Sequence, residues 1–266
     1  MSRPDRIAEA FAQARSQGRA ALVVYLTAFD GGREHSLACL CAAADAGADV
    51  IELGVPFSDP SADGTAIQAA MVRALAAGAT ASGVLELLAE FRRTHATPVV
   101  LFGYTNPLLR LTQATPSLVE RAVAVGLDGV LIVDLPPEHA ALLRAPLVAA
   151  NVHWIGLSAP TTTASRRAAI CADATGFVYA ITLRGVTGAT LGGADEAALA
   201  EQLAALRAST DLPIAAGFGV RTPDDARRIA RLADGVVVGS ALVEAAHRGT
   251  AELAEAVAAL RAATVR

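Results

Sequence analysis

Ala48-Asp-Val-Ile-Glu-Leu-Gly-Val-Pro-Phe-Ser-Asp-Pro-Ser-Ala-Asp-Gly64 is a short apolar strand followed by a Gly- and Pro-rich loop, with a candidate acid in each. The stretch Ala48–Leu53 predicts a buried strand with Glu52 near its end, and the loop returns Asp63 to about the same place. A carboxylate at the end of an apolar strand costs on the order of several kcal/mol if nothing pairs with it. It therefore needs a compensating use. A structural ion pair with an arginine is the plain one. Acid/base chemistry is the one favoured by a second acid on a loop that holds two prolines. Asp59, in Ser-Asp-Pro, reads as a turn or interface residue outside that pair.

The same alternation runs through the rest of the chain. Short apolar runs predict strands at Ala21–Leu26, Val50–Leu53, Pro98–Phe102, Val130–Val133, Trp154–Leu157, Phe177–Ile181, Pro213–Ala215 and Val236–Val238, with helical patterns between them. Leu37/Leu40/Cys41/Ala44, Val84/Leu87/Leu88/Phe91 and Leu253/Ala256/Val257/Leu260 each lay an apolar stripe along one helix. Thr222-Pro-Asp-Asp225 is a helix start, with a capping hydroxyl, a proline and two acids in the first turn. An added helix at about Asp5–Ala14 precedes the first strand, placed to plug the bottom of a barrel.

Three helix-to-strand joints look alike: Ala46-Gly-Ala-Asp-Val50, Val125-Gly-Leu-Asp-Gly-Val130 and Arg231-Leu-Ala-Asp-Gly-Val236. Such a repeat is expected if one βα unit recurs around a barrel. No linker divides residues 1–266. The expected fold is a single-domain (β/α)8 TIM barrel with an extra N-terminal helix; a doubly wound open sheet is the alternative.

Composition narrows the chemistry. Apolar residues make up 53% of the chain, ample for a core, yet no apolar run approaches the ~20 residues of a membrane span. A net charge of −4 with no basic block argues against nucleic acid as a partner. Cys39, Cys41 and Cys171 offer neither metal spacing nor a disulfide framework, and none of the five histidines is paired with acids at ligand spacing. No metal site is expected. The cysteines and the polar start of the chain suit a reduced, cytoplasmic protein without a leader segment. All 22 basic residues are arginine, so no lysine of this chain can form a Schiff base, anchor pyridoxal phosphate or serve a P-loop.

In a parallel barrel the C-terminal ends of the strands and the loops after them form the active face. Tyr25 and Thr27 fall there after the first predicted strand, Glu52 and Asp63 after the second, and Tyr104 and Asn106 after the third. Asp134 ends the fourth, where it either faces the site or caps the next helix. Tyr179 lies in the sixth; singly, Tyr104, Asn106 and Tyr179 read as packing or loop-fixing residues. Gly185-Val-Thr-Gly188, Gly217-Phe-Gly219 and Gly239-Ser240 follow the last three strands. Glycines let backbone N–H groups approach an anion, and Gly239-Ser240 opens a short helix, Ala241–Ala246, whose N-terminus favours negative charge. One Gly-x-Gly is explained by tight packing. Three clusters at adjacent strand ends predict a phosphate site that needs no lysine or arginine.

Together these motifs resemble one family. The run Glu52–Gly64, Tyr104-Thr-Asn-Pro107, Asp134-Leu-Pro136, Gly185-Val-Thr-Gly188 and Gly217-Phe-Gly219 match the tryptophan synthase α-subunit family in order and spacing, over essentially the whole chain. The resemblance implies cleavage of indole-3-glycerol phosphate to indole and glyceraldehyde 3-phosphate, a lyase step of tryptophan biosynthesis. It makes Glu52 the general acid/base, Asp63 the carboxylate facing the indole N–H, and Tyr179 their neighbour in the catalytic group. It gives the phosphate to Gly188, Gly219, Gly239 and Ser240, and the indole pocket to Tyr104, Leu131 and Val133. It also implies no cofactor in this chain, a pyridoxal-phosphate β-subunit as partner in an α2β2 heterotetramer, and mobile loops at Gly54–Thr65 and Thr182–Gly193.

The residue chemistry agrees with that implication. Retro-aldol cleavage protonates indole C3, and a carboxylate at the ring N–H stabilises the charge that results. Without lysine there is no imine route. The family pattern is broken in three loops: Thr27-Ala-Phe-Asp-Gly31 replaces Thr-Ala-Gly-Asp-Pro, Thr65 replaces Pro, and His139 stands where a second Glu is common. Two rival readings remain. One is a stand-alone lyase that releases free indole; the other is a catalytically weak barrel kept as an allosteric subunit, against which both acids argue.

Overall fold

The computed structural model describes residues 4–182, 193–217 and 219–266. Among these, nine strand segments occur: β1 (Ala21–Thr27), β2 (Val50–Gly54), β3 (Val99–Gly103), β4 (Gly129–Ile132), β5 (His153–Trp154), β6 (Gly156–Ser158), β7 (Val178–Ala180), β8 (Ile214–Ala216) and β9 (Gly235–Val238). All pair in parallel, in the order β5-β4-β3-β2-β1-β9-β8-β7-β6. The two ends of that order, β5 and β6, are separated only by Ile155, whose N–H reaches Val130 O at 2.9 Å. One interrupted stave therefore closes a barrel, as the sequence predicts, and the open-sheet alternative falls.

The helices are α1 (Arg6–Ser16), α2 (Arg33–Asp45), α3 (Thr65–Ala76), α4 (Ala81–Phe91), α5 (Thr105–Thr112), α6 (Leu118–Ala124), α7 (Pro137–Ala149), α8 (Ala164–Asp173), α9 (Gly193–Arg207), α10 (Pro223–Ala230), α11 (Ser240–Arg248) and α12 (Thr250–Ala263). Strand alternation divides the core between them and the barrel interior. Ile51 and Leu53 of β2 pack outward against helices, whereas Val50 joins Val23, Val100, Leu131 and Phe177 inside. Helix α1 closes the bottom of that interior, burying Ile7, Phe11 and Ala14, with the Phe11 ring 5.5 Å from that of Phe177. No single helix among the described residues is long and apolar enough to cross a membrane.

The repeated joint has a physical basis. Asp49, entering β2, grips Leu22 of β1 twice: its N–H donates to Leu22 O at 2.9 Å and its Oδ2 accepts the Leu22 N–H at 2.7 Å. Asp128 holds Val99 in the same way at 3.1 and 2.8 Å, and Asp234 holds Ile214 at 2.8 and 3.0 Å. Arginines neutralise each carboxylate: Arg19 and Arg261 on Asp49, Arg6 and Arg92 on Asp128, Arg207 and Arg266 on Asp234. Each aspartate thus sets the register of one strand against its neighbour.

The predicted stripes of α4 and α12 face the core. That of α2 is rotated. Its fully buried face is Ser36/Cys39/Leu40/Ala43, and Leu37, Cys41 and Ala44 lie at its margins. Ser36 turns inward because its hydroxyl accepts the Phe29 N–H at 3.0 Å, a use for a polar residue that periodicity does not register. Thr222 caps α10 in a reciprocal capping box with Asp225.

Candidate active site

At the C-terminal end of the barrel a cavity of about 300 Å³ opens, walled by Tyr25, Glu52, Phe102, Val133, Leu157 and Tyr179 on or just past the strands. The segment 62–67 covers one side, and Gly219, Arg221, Gly239, Ser240 and Glu244 form the other. Apolar walls with a few convergent polar groups are the make-up of small-molecule sites.

Glu52 stands in register between Tyr25 of β1 and Val100 of β3. It is only 1% exposed, and its Oε1 has no hydrogen-bond partner among the described residues. No arginine among the described residues pairs with it, so the structural ion-pair reading finds no support there. Burial pushes its carboxyl up to about 8, so at neutral pH it holds a proton that it can deliver. Gly54, two residues on, is required by close approach: a Cβ there would lie 2.2 Å from the Tyr25 hydroxyl.

Asp63 reaches the same cavity from the loop. Its Oδ2 accepts the Tyr104 hydroxyl at 2.6 Å, and that hydroxyl oxygen in turn accepts the Ala62 N–H at 3.0 Å. Gln68 clasps the Asp63 carbonyl at 2.8 Å. Burial raises the Asp63 carboxyl, and the Tyr104 bond pulls it back toward the charged form. The two acids therefore differ in kind: one buried in the strand wall, one held by a phenol.

Two expectations for the indole pocket change. Tyr104 stands behind Asp63 and does not line the cavity; Phe102, the inward residue one step earlier on β3, forms the wall. Leu131 is fully buried in the barrel interior, below the cavity floor, while Val133 lines it. Tyr179 also lines it, with its hydroxyl proton committed to Gly217 O at 2.8 Å and its ionisation suppressed by burial and by both acids. Asp134 does not cap α7. Its Oδ1 accepts the N–H and hydroxyl of Thr105 at 2.7 and 2.8 Å, fastening the loop after β4 to the start of α5.

The glycine clusters divide likewise. Gly219, Gly239 and Ser240 line the cavity, with Gly239 as the N-cap of α11. Gly217 serves packing, since a Cβ there would meet Val237 O at 2.2 Å. Gly185, Gly188 and most of the Thr182–Gly193 loop lie outside the described residues. Sequence reading missed Arg221 and Glu244, paired at 2.6 Å in the cavity wall beside Ser240. The available signal was a cation two residues after Gly219. Of the family departures, Phe29 has φ +65°, the left-handed region in which the glycine of the usual pattern is unstrained.

The comparisons agree with this geometry. A family profile described as "Tryptophan synthase alpha chain" matches residues 11–265. The chain is 51% identical over 239 residues to the tryptophan synthase alpha chain of Gluconacetobacter diazotrophicus, covering 90% of this chain and 86% of that one. It is 46% identical over 267 residues to that of Alkalilimnicola ehrlichii, covering 97% and 96%. A solved structure of Mycobacterium tuberculosis tryptophan synthase contains a chain that superposes with a TM-score of 0.89 at 34% identity, covering 98% of both chains. The tryptophan synthase subunit alpha of Legionella pneumophila gives 0.87 at 32%, covering 98% and 99%. The chain belongs to the tryptophan synthase alpha chain family.

Proposed function

We propose that Glu52 and Asp63 perform in this chain the reaction of its family, the lyase cleavage of indole-3-glycerol phosphate to indole and glyceraldehyde 3-phosphate in tryptophan biosynthesis. The observation that carries this assignment is the buried Glu52, its Oε1 without a partner among the described residues and its carboxyl raised by burial, in one cavity with Asp63. The Glu52 carboxylic acid gives its proton to indole C3, and the ring becomes an indolium. Asp63 accepts the ring N–H and stabilises that charge. The Glu52 carboxylate then takes the proton of the side-chain hydroxyl next to C3. A carbonyl forms there, the C3–carbon bond breaks, and its electron pair restores the aromatic ring. Glu52 ends as it began, so the step needs no cofactor from this chain.

Tyr179, Phe102, Val133 and Leu157 would hold the indole between apolar walls. Gly219, Gly239 and Ser240 would bind the phosphate through backbone N–H groups and a hydroxyl, with Gly188 joining them. Tyr104 acts as a positioning residue for Asp63. We assign residues 1–266 to one barrel domain in the cytoplasm, with Gly54–Thr65 as a loop that closes over the substrate. The partner in this reading is a pyridoxal-phosphate β-subunit that consumes the indole, in an α2β2 heterotetramer.

Indole release from indole-3-glycerol phosphate, with and without a β-subunit, tests the reading. Equimolar indole and glyceraldehyde 3-phosphate, released faster with the partner and from a 2:2 complex, is the expected result. Brisk release by the chain alone would favour the stand-alone lyase. No release in either condition would refute the assignment.

A further inference from the structure

We propose that Arg221 is a phosphate-binding arm held in reserve by Glu244, released from that carboxylate when the substrate's phosphate arrives. This rests on the phosphate end of the cavity being where Gly219, Gly239 and Ser240 place it. Arg221 Nη2 donates to Glu244 Oε2 at 2.6 Å, and both side chains line the same cavity as those three residues. Arg221 is the only basic residue among the described residues of that wall.

The charges do not balance without it. With Glu52 holding its proton, Asp63 and Glu244 are the carboxylates of the cavity, so a phosphate dianion enters a site biased against it. Glu244 is the nearest offender: it lies four residues after Ser240 on α11, one turn along the same face. Helix N–H groups at Gly239–Ser240 favour an anion but do not cancel a neighbouring carboxylate.

The pair is built to part. Arg221 and Glu244 are 47% and 40% exposed, and an ion pair that open to water contributes little. A phosphate dianion offers the guanidinium two parallel charge-assisted bonds in place of one. Arg221 also sits two residues beyond Gly219, which has φ +69°, so it follows directly on the glycine cluster in the same wall. The exchange moves only side chains.

Binding of inorganic phosphate and of glycerol 3-phosphate, measured calorimetrically on the full chain, tests this apart from catalysis. Arg221→Gln should weaken phosphate binding by roughly tenfold, and Glu244→Gln should tighten it several-fold by removing the competitor. In turnover the Arg221→Gln loss should fall on KM more than on kcat. Circular dichroism and thermal melting of both variants exclude misfolding as the cause. Phosphate binding by Arg221→Gln equal to wild type, or weaker binding by Glu244→Gln, would overturn the proposal while leaving the glycine cradle intact. If wild type binds neither anion, the phosphate end itself is misplaced and both readings fall.

Discussion

Glu52 has to be protonated for the first step, and burial sets where that proton is lost. Its carboxyl is raised from 4.5 to about 8, so kcat/KM should be level through neutrality and fall as pH rises through about 8. A profile that instead falls only below about pH 5, as an exposed carboxylate base would give, would contradict a buried acid. The same shift has a stability cost. Below pH 4.5 both folded and unfolded chains hold the proton; between 4.5 and about 8 only the folded chain does. Stability contributed by this group is therefore full at low pH and is lost as pH rises through about 8. Glu52→Gln escapes that loss. Denaturant unfolding should find it gaining on wild type by on the order of a few kcal/mol between pH 5 and pH 8, and an equal difference at both pH values would refute the shift. Glu52 was legible in sequence because a charge ending an apolar strand stands out, and Asp63 because the Gly- and Pro-rich loop after that strand brings a second acid back. The partners of Asp63 were less so. Tyr104 looks like a wall residue from its position, and only the fold shows its hydroxyl turned onto a carboxylate behind the cavity. Arg221 and Glu244 are farther apart in sequence, joined by a contact between a loop and a helix that no spacing rule reports.

At the scale of elements, the three aspartates at the bottom joints are the most consequential repeated unit. Asp49 satisfies the Leu22 N–H and neutralises Arg19, which is itself buried. Asp49→Ala should thus leave the buried Arg19 without its counter-charge and the Leu22 N–H without a side-chain acceptor, costing about 3–5 kcal/mol. Equilibrium unfolding measures it, and a loss below about 1 kcal/mol would mean that water replaces the carboxylate freely. The repeat was visible in sequence; its double hold on the neighbouring strand was not. The interrupted stave at Ile155 and the rotated face of α2 escaped notice for related reasons. Both depend on which side-chain or backbone partner is nearby, whereas periodicity reports only the average apolar direction. The stripes of α4 and α12 read correctly because Leu, Val and Phe leave no second face to choose.

At the scale of the molecule, the barrel keeps its stability at one end and its chemistry at the other. Helix α1 and the aspartate joints lock the bottom, and the cavity gathers residues from β1, β2, β3, β6, β7 and β9 and from the segments after β2, β4, β8 and β9 at the top. That separation lets a costly buried acid persist, since the charges that hold the strands in register lie elsewhere. The alternation of strands and helices made this architecture legible along the whole chain. The walls of the cavity were not, because inward residues at one strand end become floor or wall according to how deep each stave sits. The most direct measurement is single-turnover indole release by wild type and Glu52→Gln, with phosphate binding verified in both. Loss of about a thousandfold in rate with phosphate affinity retained is the expected result, and release within about tenfold of wild type would remove Glu52 from the chemistry.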